Sequence, residues 1–450
     1  MPKKFYIQTY GCQMNQYDSE RIARVLRRSG YIQTERIDTA DLLLLNTCSV
    51  RDKAEQKVYS ALGSWKEFKD YRDGVIIGVG GCVAQQEGEN LLRRIPHLDI
   101  VFGTHNIHKL PELVEQAESA RARPVEVAFY RDPGYMEDLA EGDARVHGAK
   151  AYVTIMQGCN KVCSFCIVPH VRGREVSRPS ARIIAEIEAL VAQGVKEVML
   201  LGQNVNSYGK LSAGELSFAE LLRRVDAVEG LQRIRFTTSH PQDLSPELIE
   251  AFATCRNLCE HLHLPVQSGS DTVLQRMRRG YSRDEYLARI DALRRRCPQV
   301  ALSTDVIVGF PGESDDEFGD TLELLRRVEY DELFSFTYSP RPQTVSAKLY
   351  EDDVDPSVKK ERLKSVQDLQ QAISLKKNRR RVGDVEEILL EGPAKLKSGR
   401  LMGRTRSNRI VNVGAPESLV GQTVKVRIVS ATANSLLGEL LPEEPALLLN

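Results

Sequence analysis

The first 145 residues repeat one pattern of hydrophobic and polar positions. A run of apolar or β-branched residues is followed by a small turn and then by a segment with helical periodicity. Such runs begin at Phe5, Leu42 and Val75. This alternation is typical of an α/β domain with parallel strands. It predicts an N-terminal domain with an open parallel sheet over residues 1–145.

A second and longer alternation of strand and helix patterns starts at residue 146. Helical periodicity covers segments such as 180–193 and 284–296. The predicted strands are 151–156, 195–201, 233–239, 261–267, 301–309 and 333–339. Six strands interleaved with helices predict a partial (βα)6 barrel over residues 146–378, whose active face is formed by the loops after the strands.

A polar and strongly basic helix is predicted at residues 359–381, and short strand patterns follow it. These strands are predicted at 386–390, 399–403, 410–413 and 423–429. They indicate a small C-terminal β-barrel over residues 379–445, a kind of module that commonly binds RNA. Its cations are Lys395, Lys397, Arg400, Arg404, Arg406 and Arg409. Because the module has no aromatic residue to stack on bases, we expect it to grip the RNA backbone with little base specificity.

The composition is that of a globular protein with several domains. The chain has 450 residues, 42% of them hydrophobic, and its 62 basic residues equal its 62 acidic ones. It has no global charge to attract nucleic acid, so any RNA contact must come from local basic patches. The nine cysteines are an odd number and no secretory signal precedes the first strand, so we expect a reducing cytoplasm. No apolar stretch approaches the ~20 residues that cross a bilayer, so we expect no membrane span.

Three cysteines lie close together directly after the first predicted barrel strand. Cys159, Cys163 and Cys166 have a spacing that can hold three irons of a cubane 4Fe-4S cluster and leave one iron open. With Phe165 before the last cysteine, the run resembles the radical S-adenosylmethionine superfamily. There the open iron binds the cofactor, and an electron releases a 5′-deoxyadenosyl radical from it. The alternative is a zinc site on Cys163 and Cys166, but structural zinc takes four ligands and His170 is the only other candidate nearby.

Three further cysteines each follow a strand pattern of the N-terminal domain. They are Cys12, Cys48 and Cys82. Because the carboxyl ends of parallel strands share one edge of a sheet, we expect the three thiols to converge there. Gly11, Gly80 and Gly81 fit a close approach of the backbone to a bulky inorganic ligand. The alternative is three buried core thiols, but core thiols would lie within strands, so we predict a second cluster, again with one open iron.

Loops after the barrel strands carry further candidates for the active pocket. In the superfamily a short glycine-containing motif after the second strand usually meets the methionine end of the cofactor, and here residues 202–204 contain an amide in place of the common acid. The runs 239–240, 267–269 and 309–313 follow later strands. We expect the cofactor to be bound by Phe165, Gly202, Gln203, Asn204, Ser239, Gln267 and Gly309.

Cys255 and Cys259 lie near His261 and His263, which suggests a further metal site. The two histidines alternate within an apolar strand pattern, and Cys255 lies at a predicted helix end. We therefore interpret all four as satisfied core side chains.

Five motifs are similar to those of the tRNA methylthiotransferase family of radical S-adenosylmethionine enzymes. They are residues 10–15, 46–51, 81–88, 335–341 and 403–409. The resemblance covers nearly the whole chain and implies an N-terminal methylthiotransferase domain, a radical barrel and a C-terminal RNA-binding TRAM domain. The substrate it implies is the isopentenylated adenosine beside the anticodon of tRNA, which gains a methylthio group at C2.

The same resemblance implies two 4Fe-4S clusters and two molecules of S-adenosylmethionine. Cys12, Cys48 and Cys82 match one cluster set, and Cys159, Cys163 and Cys166 match the other. One S-adenosylmethionine would methylate a sulfur held on the first cluster, and a second would be cleaved at the other cluster to drive transfer of the methylthio group. The implied partners are tRNA and an electron-donor protein, and we expect a monomer.

Three rival functions stay open at this point. A sister family methylthiolates an aspartate of a ribosomal protein, but its first cysteine is typically followed by Pro-Lys-Asn and not by Gln13, Met14 and Asn15. A second branch, acting on threonylcarbamoyl adenosine in tRNA, differs in the same motifs. A third possibility is a non-catalytic iron-sulfur RNA-binding protein, but structural clusters normally have every iron ligated by protein.

Overall fold

The computed structural model describes residues 2–49, 52–136, 148–394 and 399–442, and for residues 52–56 only the backbone. The N-terminal unit is a sheet in the order β2-β1-β3-β4-β5-β6, in which every neighbouring pair is parallel. Its strands are β1 (Lys4–Thr9), β2 (Ile32–Gln33), β3 (Leu42–Thr47), β4 (Ile76–Gly81), β5 (Ile100–Phe102) and β6 (Val125–Glu126). Its helices are α1 (Gln13–Arg28), α2 (Asp52–Tyr71), α3 (Cys82–Glu87), α4 (Glu89–Arg94) and α5 (Leu110–Ser119). The predicted open parallel sheet is confirmed.

Helices cover both faces of this sheet. Leu42 and Leu44 of β3 pack on one face with residues of α1 and α5, and Leu43 and Leu45 pack on the other with residues of α2 and α4. A central parallel strand needs such a continuous apolar run because both of its faces are buried. The carboxyl ends of β1, β3 and β4 are neighbours, so the residues that follow them share one edge of the sheet.

The central unit is a partial barrel whose main strands form two parallel sheets, β11-β10-β7 and β12-β13-β14. A parallel bridge between Ile234 and Leu258 joins the two sheets. The strands are β7 (Lys150–Thr154), β8 (Met156–Gln157), β9 (Val176–Ser177), β10 (Glu197–Leu201), β11 (Arg233–Phe236), β12 (His261–His263), β13 (Ala301–Val308) and β14 (Glu332–Thr337). The helices are α6 (Val168–Val171), α7 (Ser180–Ala192), α8 (Phe218–Asp226), α9 (Pro246–Thr254), α10 (Asp271–Arg276), α11 (Arg283–Arg296), α12 (Asp315–Val328), α13 (Val345–Leu349) and α14 (Pro356–Arg379).

Several barrel strands end earlier than the apolar pattern predicts, and the difference is largest for β11 and β12. β11 ends at Phe236 rather than residue 239, and β12 ends at His263 rather than residue 267. Thr238 and Gln267 have positive φ angles of 69° and 75°, which regular strands do not contain. Both segments are therefore loops on the active face.

The C-terminal unit is a closed barrel in the order β15-β16-β17-β19-β18. Its strands are β15 (Val385–Pro393), β16 (Leu401–Thr405), β17 (Ile410–Val413), β18 (Thr423–Ala431) and β19 (Leu436–Leu440). Alternate apolar residues such as Ile388, Val411 and Val426 fill its interior. The predicted small barrel is confirmed, and β19 is the strand that the sequence pattern did not separate.

The long basic helix before this barrel starts earlier than predicted. α14 begins at Pro356 because Asp355 caps it, accepting a hydrogen bond from the Ser357 amide at 2.7 Å. Proline at the first helical position has no amide that needs a partner.

A buried ionic cluster joins the C-terminal barrel to the central one. Glu197, 1% exposed, contacts Arg235 at 3.1 Å and Lys150 at 3.2 Å. Lys150 also reaches Glu391 of β15 at 2.9 Å, and Arg235 donates to the Thr405 carbonyl at 2.7 Å. Because Lys150 and Glu197 are the first residues of β7 and β10, the C-terminal barrel packs at the amino ends of the central strands, opposite the active face.

The predicted domain boundary at residues 145 and 146 lies outside the described residues, and the one at residues 378 and 379 falls in the last turn of α14. Both stay predictions. None of the helices in the described ranges has the length and apolar character needed to cross a membrane.

Candidate active site

The three N-terminal cysteines follow adjacent strands. Cys12 lies at the start of α1 after β1, Cys48 directly follows β3, and Cys82 is the first residue of α3 after β4. Thr47 and Gly81, the residues before Cys48 and Cys82, are paired partners in the sheet. The predicted convergence at one sheet edge is therefore what the structure has, with Cys12 exposed and the other two thiols buried.

Asn15 and Gly81 bring these turns together. The Asn15 side chain donates to the Thr47 carbonyl at 3.0 Å and accepts from the Cys12 amide at 3.3 Å, so it ties the first turn to the second. Gly81 has a φ of 91°, and a Cβ there would overlap the backbone of Thr47. Only glycine lets the third turn approach the second this closely.

The three thiols act on one another electrostatically. A hydrogen bond from Cys48 lowers the pKa of Cys12 to about 6, and the positive charge of Arg172 also contributes. Burial raises the pKa of the Cys82 thiol, while the Arg172 charge opposes that rise. A thiol with a low pKa is a thiolate at neutral pH, which is the form that binds metal.

The second set lies on the loop after β8, within the active face of the barrel. The Cys159 amide donates to the Gly173 carbonyl at 3.2 Å, and the Ser164 amide donates to the Met277 carbonyl at 2.9 Å. Gly158 has a φ of 82°, and a Cβ there would overlap the Arg174 carbonyl. The loop is therefore fixed at both ends by backbone contacts.

Two polar side chains surround the thiol of Cys163. Arg279 donates from Nη1 to the Cys163 sulfur at 3.2 Å, and His240 Nε2 lies 3.9 Å from it. Burial raises the pKa of Cys159 to about 11 and of Cys166 to about 12. These two thiols are neutral in the ligand-free chain and must lose protons when they bind metal.

The chemistry of the donor sets fits iron-sulfur clusters. Each set offers three thiols, and within the described residues no three His, Cys, Asp or Glu side chains are placed to hold a single metal ion. Thiolates are the ligands of cubane clusters, and the Arg279 hydrogen bond to sulfur is a contact that such clusters accept. The residues present therefore fit two clusters.

Polar side chains line the active face of the barrel, some with hydrogen-bond partners and some without. Gln203 accepts from the Gly158 amide at 2.5 Å, and Asn204 donates to Asp243 at 2.7 Å and accepts from the His240 amide at 3.0 Å. Among the described residues, the Ser239 hydroxyl and Gln267 Oε1 are buried and have no hydrogen-bond partner. Because buried polar atoms normally have partners, these two are available to a ligand.

The apolar candidates have different surroundings. Phe165 packs with Met277, Phe310 and Tyr338 behind the cysteine loop. Gly202 follows β10, and a Cβ there would meet Met156. Gly309 is held by Glu313, which accepts from its amide at 2.6 Å. Their roles in cofactor binding stay predictions.

Two arginines near the cysteines were not predicted. Arg279 follows α10, and Arg172 follows α6, the helix after the cysteine loop. A single buried arginine has no local sequence pattern, so only the folded chain shows what it contacts.

Of the four residues interpreted as core side chains, the two cysteines lie in the core and the two histidines do not. Cys255 and Cys259 are buried as expected. His261 and His263 are satisfied by hydrogen bonds to the Ser303 hydroxyl at 3.2 and 3.0 Å, as expected. Both side chains are only half-buried, so their predicted place in the core is wrong.

Several cations predicted to grip RNA instead hold the C-terminal barrel in place. Arg406 binds Glu260 through two nitrogens and donates to the Leu258 carbonyl at 2.8 Å. Arg409 pairs with Asp331, and Arg404 bonds the Asn408 carbonyl at 3.1 Å. Arg400 is exposed, whereas Lys395 and Lys397 lie outside the described residues.

Comparison with known families divides the chain into the same three parts. Residues 4–103 match the uncharacterized protein family UPF0004, residues 153–325 match the radical SAM superfamily, and residues 379–441 match the TRAM domain.

Solved structures share this fold at low sequence identity. The radical S-adenosylmethionine methyltransferase TsrM from Kitasatospora setae, solved with cobalamin and a [4Fe-4S] cluster, has a TM-score of 0.59 at 14% identity and aligns over 77% of both chains. The cobalamin-dependent radical enzyme OxsB has a TM-score of 0.54 at 13% identity, over 82% of this chain and 56% of that one. These likenesses show the fold, and the match of residues 153–325 to the radical SAM superfamily agrees with it.

Curated relatives narrow this class to one family. The tRNA-2-methylthio-N(6)-dimethylallyladenosine synthase of Geotalea uraniireducens is 52% identical over 97% of this chain and 99% of its own length. The synthase of the same description from Geobacter sulfurreducens is 52% identical over 98% of both chains. The chain belongs to the tRNA-2-methylthio-N(6)-dimethylallyladenosine synthase family.

Proposed function

We propose that this protein adds a methylthio group to C2 of N6-isopentenyladenosine next to the anticodon in tRNA. Its reaction class is that of a radical methylthiotransferase. The observation that carries the proposal is the placement of two three-cysteine sets on facing surfaces of two domains. Cys82 packs against Ile167 and Val171, which closely follow Cys166 of the other set.

The proposal assigns two 4Fe-4S clusters and S-adenosylmethionine as cofactors. Cys159, Cys163 and Cys166 would hold one cluster, and Cys12, Cys48 and Cys82 the other. When bound, these groups supply a carbon radical able to act on an unactivated C–H bond, and a methylated sulfur for transfer. The chain itself keeps the thiols in place, neutralises sulfur charge through Arg279, and offers the unpartnered Ser239 and Gln267 to the cofactor.

The proposed partners are tRNA and an electron-donor protein, with the enzyme a monomer in the cytoplasm. The match to a TRAM domain over residues 379–441 supports tRNA binding. Because Arg406 and Arg409 are used within the protein, Arg400 and the region around it are the better candidates for phosphate contacts. We place the domains at residues 1–145, 146–378 and 379–445.

Nucleoside mass spectrometry of tRNA tests the function. Cells that lack this chain should accumulate N6-isopentenyladenosine, and a plasmid copy should restore the 2-methylthio derivative. The same cells provide ribosomal proteins for peptide mass spectrometry. Loss of a methylthio group from a ribosomal aspartate, with tRNA unchanged, would contradict the proposal and favour the sister activity.

A further inference from the structure

Arg172 belongs to the barrel but reaches the cysteines of the N-terminal domain. It directly follows α6, and its side chain is 3% exposed. Nη2 donates to Asp18 Oδ2 at 2.7 Å, and Asp18 is equally buried. Because Asp18 lies on α1, which starts just after Cys12, this ion pair connects the helix after one cysteine set to the helix after the other.

The rest of the guanidinium faces the thiols. The positive charge of Arg172 acts to lower the pKa of the Cys82 and Cys12 thiols, so the guanidinium lies near both of them. Its Nη1 is buried and has no hydrogen-bond partner among the residues that the structure describes. A charged donor in that position needs an acceptor, and Asp18 occupies only the other terminal nitrogen.

The backbone around Arg172 is fixed to the N-terminal domain. The Thr104 hydroxyl donates to the Val171 carbonyl at 2.8 Å, and His105 Nε2 bonds the Arg172 carbonyl at 2.9 Å. Val171 also packs on Cys82. The guanidinium therefore has little freedom to turn away from the thiols.

We propose that Arg172 is a positioning residue for the second cluster, where its guanidinium binds anionic sulfur held at Cys12, Cys48 and Cys82. This rests on the proposed two-cluster function. A cubane cluster held by three thiolates would carry net negative charge, and an anionic sulfur ligand would add to it. A buried positive charge offsets it, which favours binding of that sulfur and makes the cluster easier to reduce. The barrel thus contributes a residue to the site of the neighbouring domain.

The alternative is that Arg172 has a structural role only and holds the two domains together through its ion pair with Asp18. In the full chain with Cys159, Cys163 and Cys166 all replaced by alanine, only the second cluster should bind, so its properties can be measured alone. In that background we would compare Arg172→Gln, Arg172→Lys and Asp18→Asn. Arg178→Gln is a matched control, because Arg178 is also a buried arginine of this region and pairs with Glu186 at 2.8 Å.

The readouts are iron content, midpoint potential, electron paramagnetic resonance with sodium hydrosulfide as the probe, and thermal unfolding. Arg172→Gln should shift the potential to more negative values and weaken hydrosulfide binding about tenfold, the scale on which outer contacts change metal sites. Arg172→Lys should restore part of both. Asp18→Asn, which keeps the guanidinium, should lower the unfolding temperature while retaining hydrosulfide binding.

If the parent and Arg172→Gln have the same midpoint potential and the same affinity for hydrosulfide, the proposal is overturned. Arg172 would then have only the structural role. If Arg172→Gln fails to fold, Arg172→Lys decides: a folded lysine variant with unchanged potential and affinity also overturns it. A parent that binds no second cluster overturns it as well. The tRNA nucleoside assay is independent, so a shift in potential without methylthioadenosine would reject the proposed function and keep this role of Arg172.

Discussion

Individual thiols of the two sets differ in ionisation although both sets are proposed to bind iron. The pKa of Cys12 is lowered to about 6 by the Cys48 hydrogen bond, whereas burial raises that of Cys166 to about 12. The first thiol is thus largely a thiolate above pH 6 and loses that form as the pH falls below it. The second is protonated throughout the neutral range.

Metal-free protein at pH 8 should therefore react with iodoacetamide first at Cys12. The pKa of Cys12 is lowered by the Cys48 hydrogen bond whereas burial raises that of Cys166, and Cys12 is also exposed. Peptide mass spectrometry over time measures the order of modification. Cys255, a buried thiol whose pKa burial raises to about 11, is the control for slow reaction. Equal rates of modification at Cys12 and Cys166 would show that the two thiols do not differ in ionisation as described.

The cysteines could be predicted from the sequence because their spacing and their position after strands are local features. Arg172 and Arg279 could not, since each acquires its role from a partner far along the chain. The same holds for His261 and His263, whose strand was predicted but whose face depends on how the barrel closes.

Secondary-structure elements set how closely the three N-terminal turns approach one another. Gly81→Ala should destabilise the N-terminal domain and prevent assembly of the second cluster, because a Cβ would overlap Thr47 in a strained backbone. Gly74→Ala is a matched control, with a φ of 84° and open space around its Cβ, and should cost only about 1 kcal/mol.

Urea unfolding and iron analysis of both glycine variants measure these effects. We expect Gly74→Ala to keep the iron content of the parent and Gly81→Ala to lose about half of it. If the two variants behave alike, the close approach of β3 and β4 does not limit the site.

The C-terminal barrel offers a second test at this scale. Arg406→Ala removes contacts to Glu260 and the Leu258 carbonyl, so it should lower the free energy of unfolding by roughly 1–3 kcal/mol. Arg400→Ala should leave stability unchanged but weaken tRNA binding and reduce its salt slope by about 1. Thermal unfolding and filter binding over a salt series distinguish them. If Arg406→Ala is as stable as the parent but binds tRNA more weakly, Arg406 contacts RNA and does not hold the barrel in place.

Strand and helix identities followed from periodicity, but their ends did not. β11 stops early before Thr238, which takes a positive φ angle, and β12 stops before Pro265, which has no amide to donate to a neighbouring strand. β19 was missed because residues 432–435 form a tight turn between β18 and β19 that lacks a glycine or proline to mark it.

At the scale of the whole molecule, the sequence predicted the order of the three units along the chain. It did not predict the contacts by which they pack against one another. Arg233, Arg235 and Glu197 read as polar residues within apolar strands, yet they are buried at the joint between the two barrels. Likewise Asp18 and Arg172 join the domains that carry the two cysteine sets. These contacts predict that the two sets respond to each other, although they lie on different domains.

Replacing Cys12, Cys48 and Cys82 together by alanine tests the division of labour between the two sets most directly. The variant is reconstituted without oxygen, and both 5′-deoxyadenosine and the methylthio nucleoside of tRNA are measured by mass spectrometry. The account predicts that cleavage of S-adenosylmethionine persists, because the thiols of the barrel loop remain, while no 2-methylthio product forms. Continued formation of 2-methylthioadenosine by this variant would contradict the account.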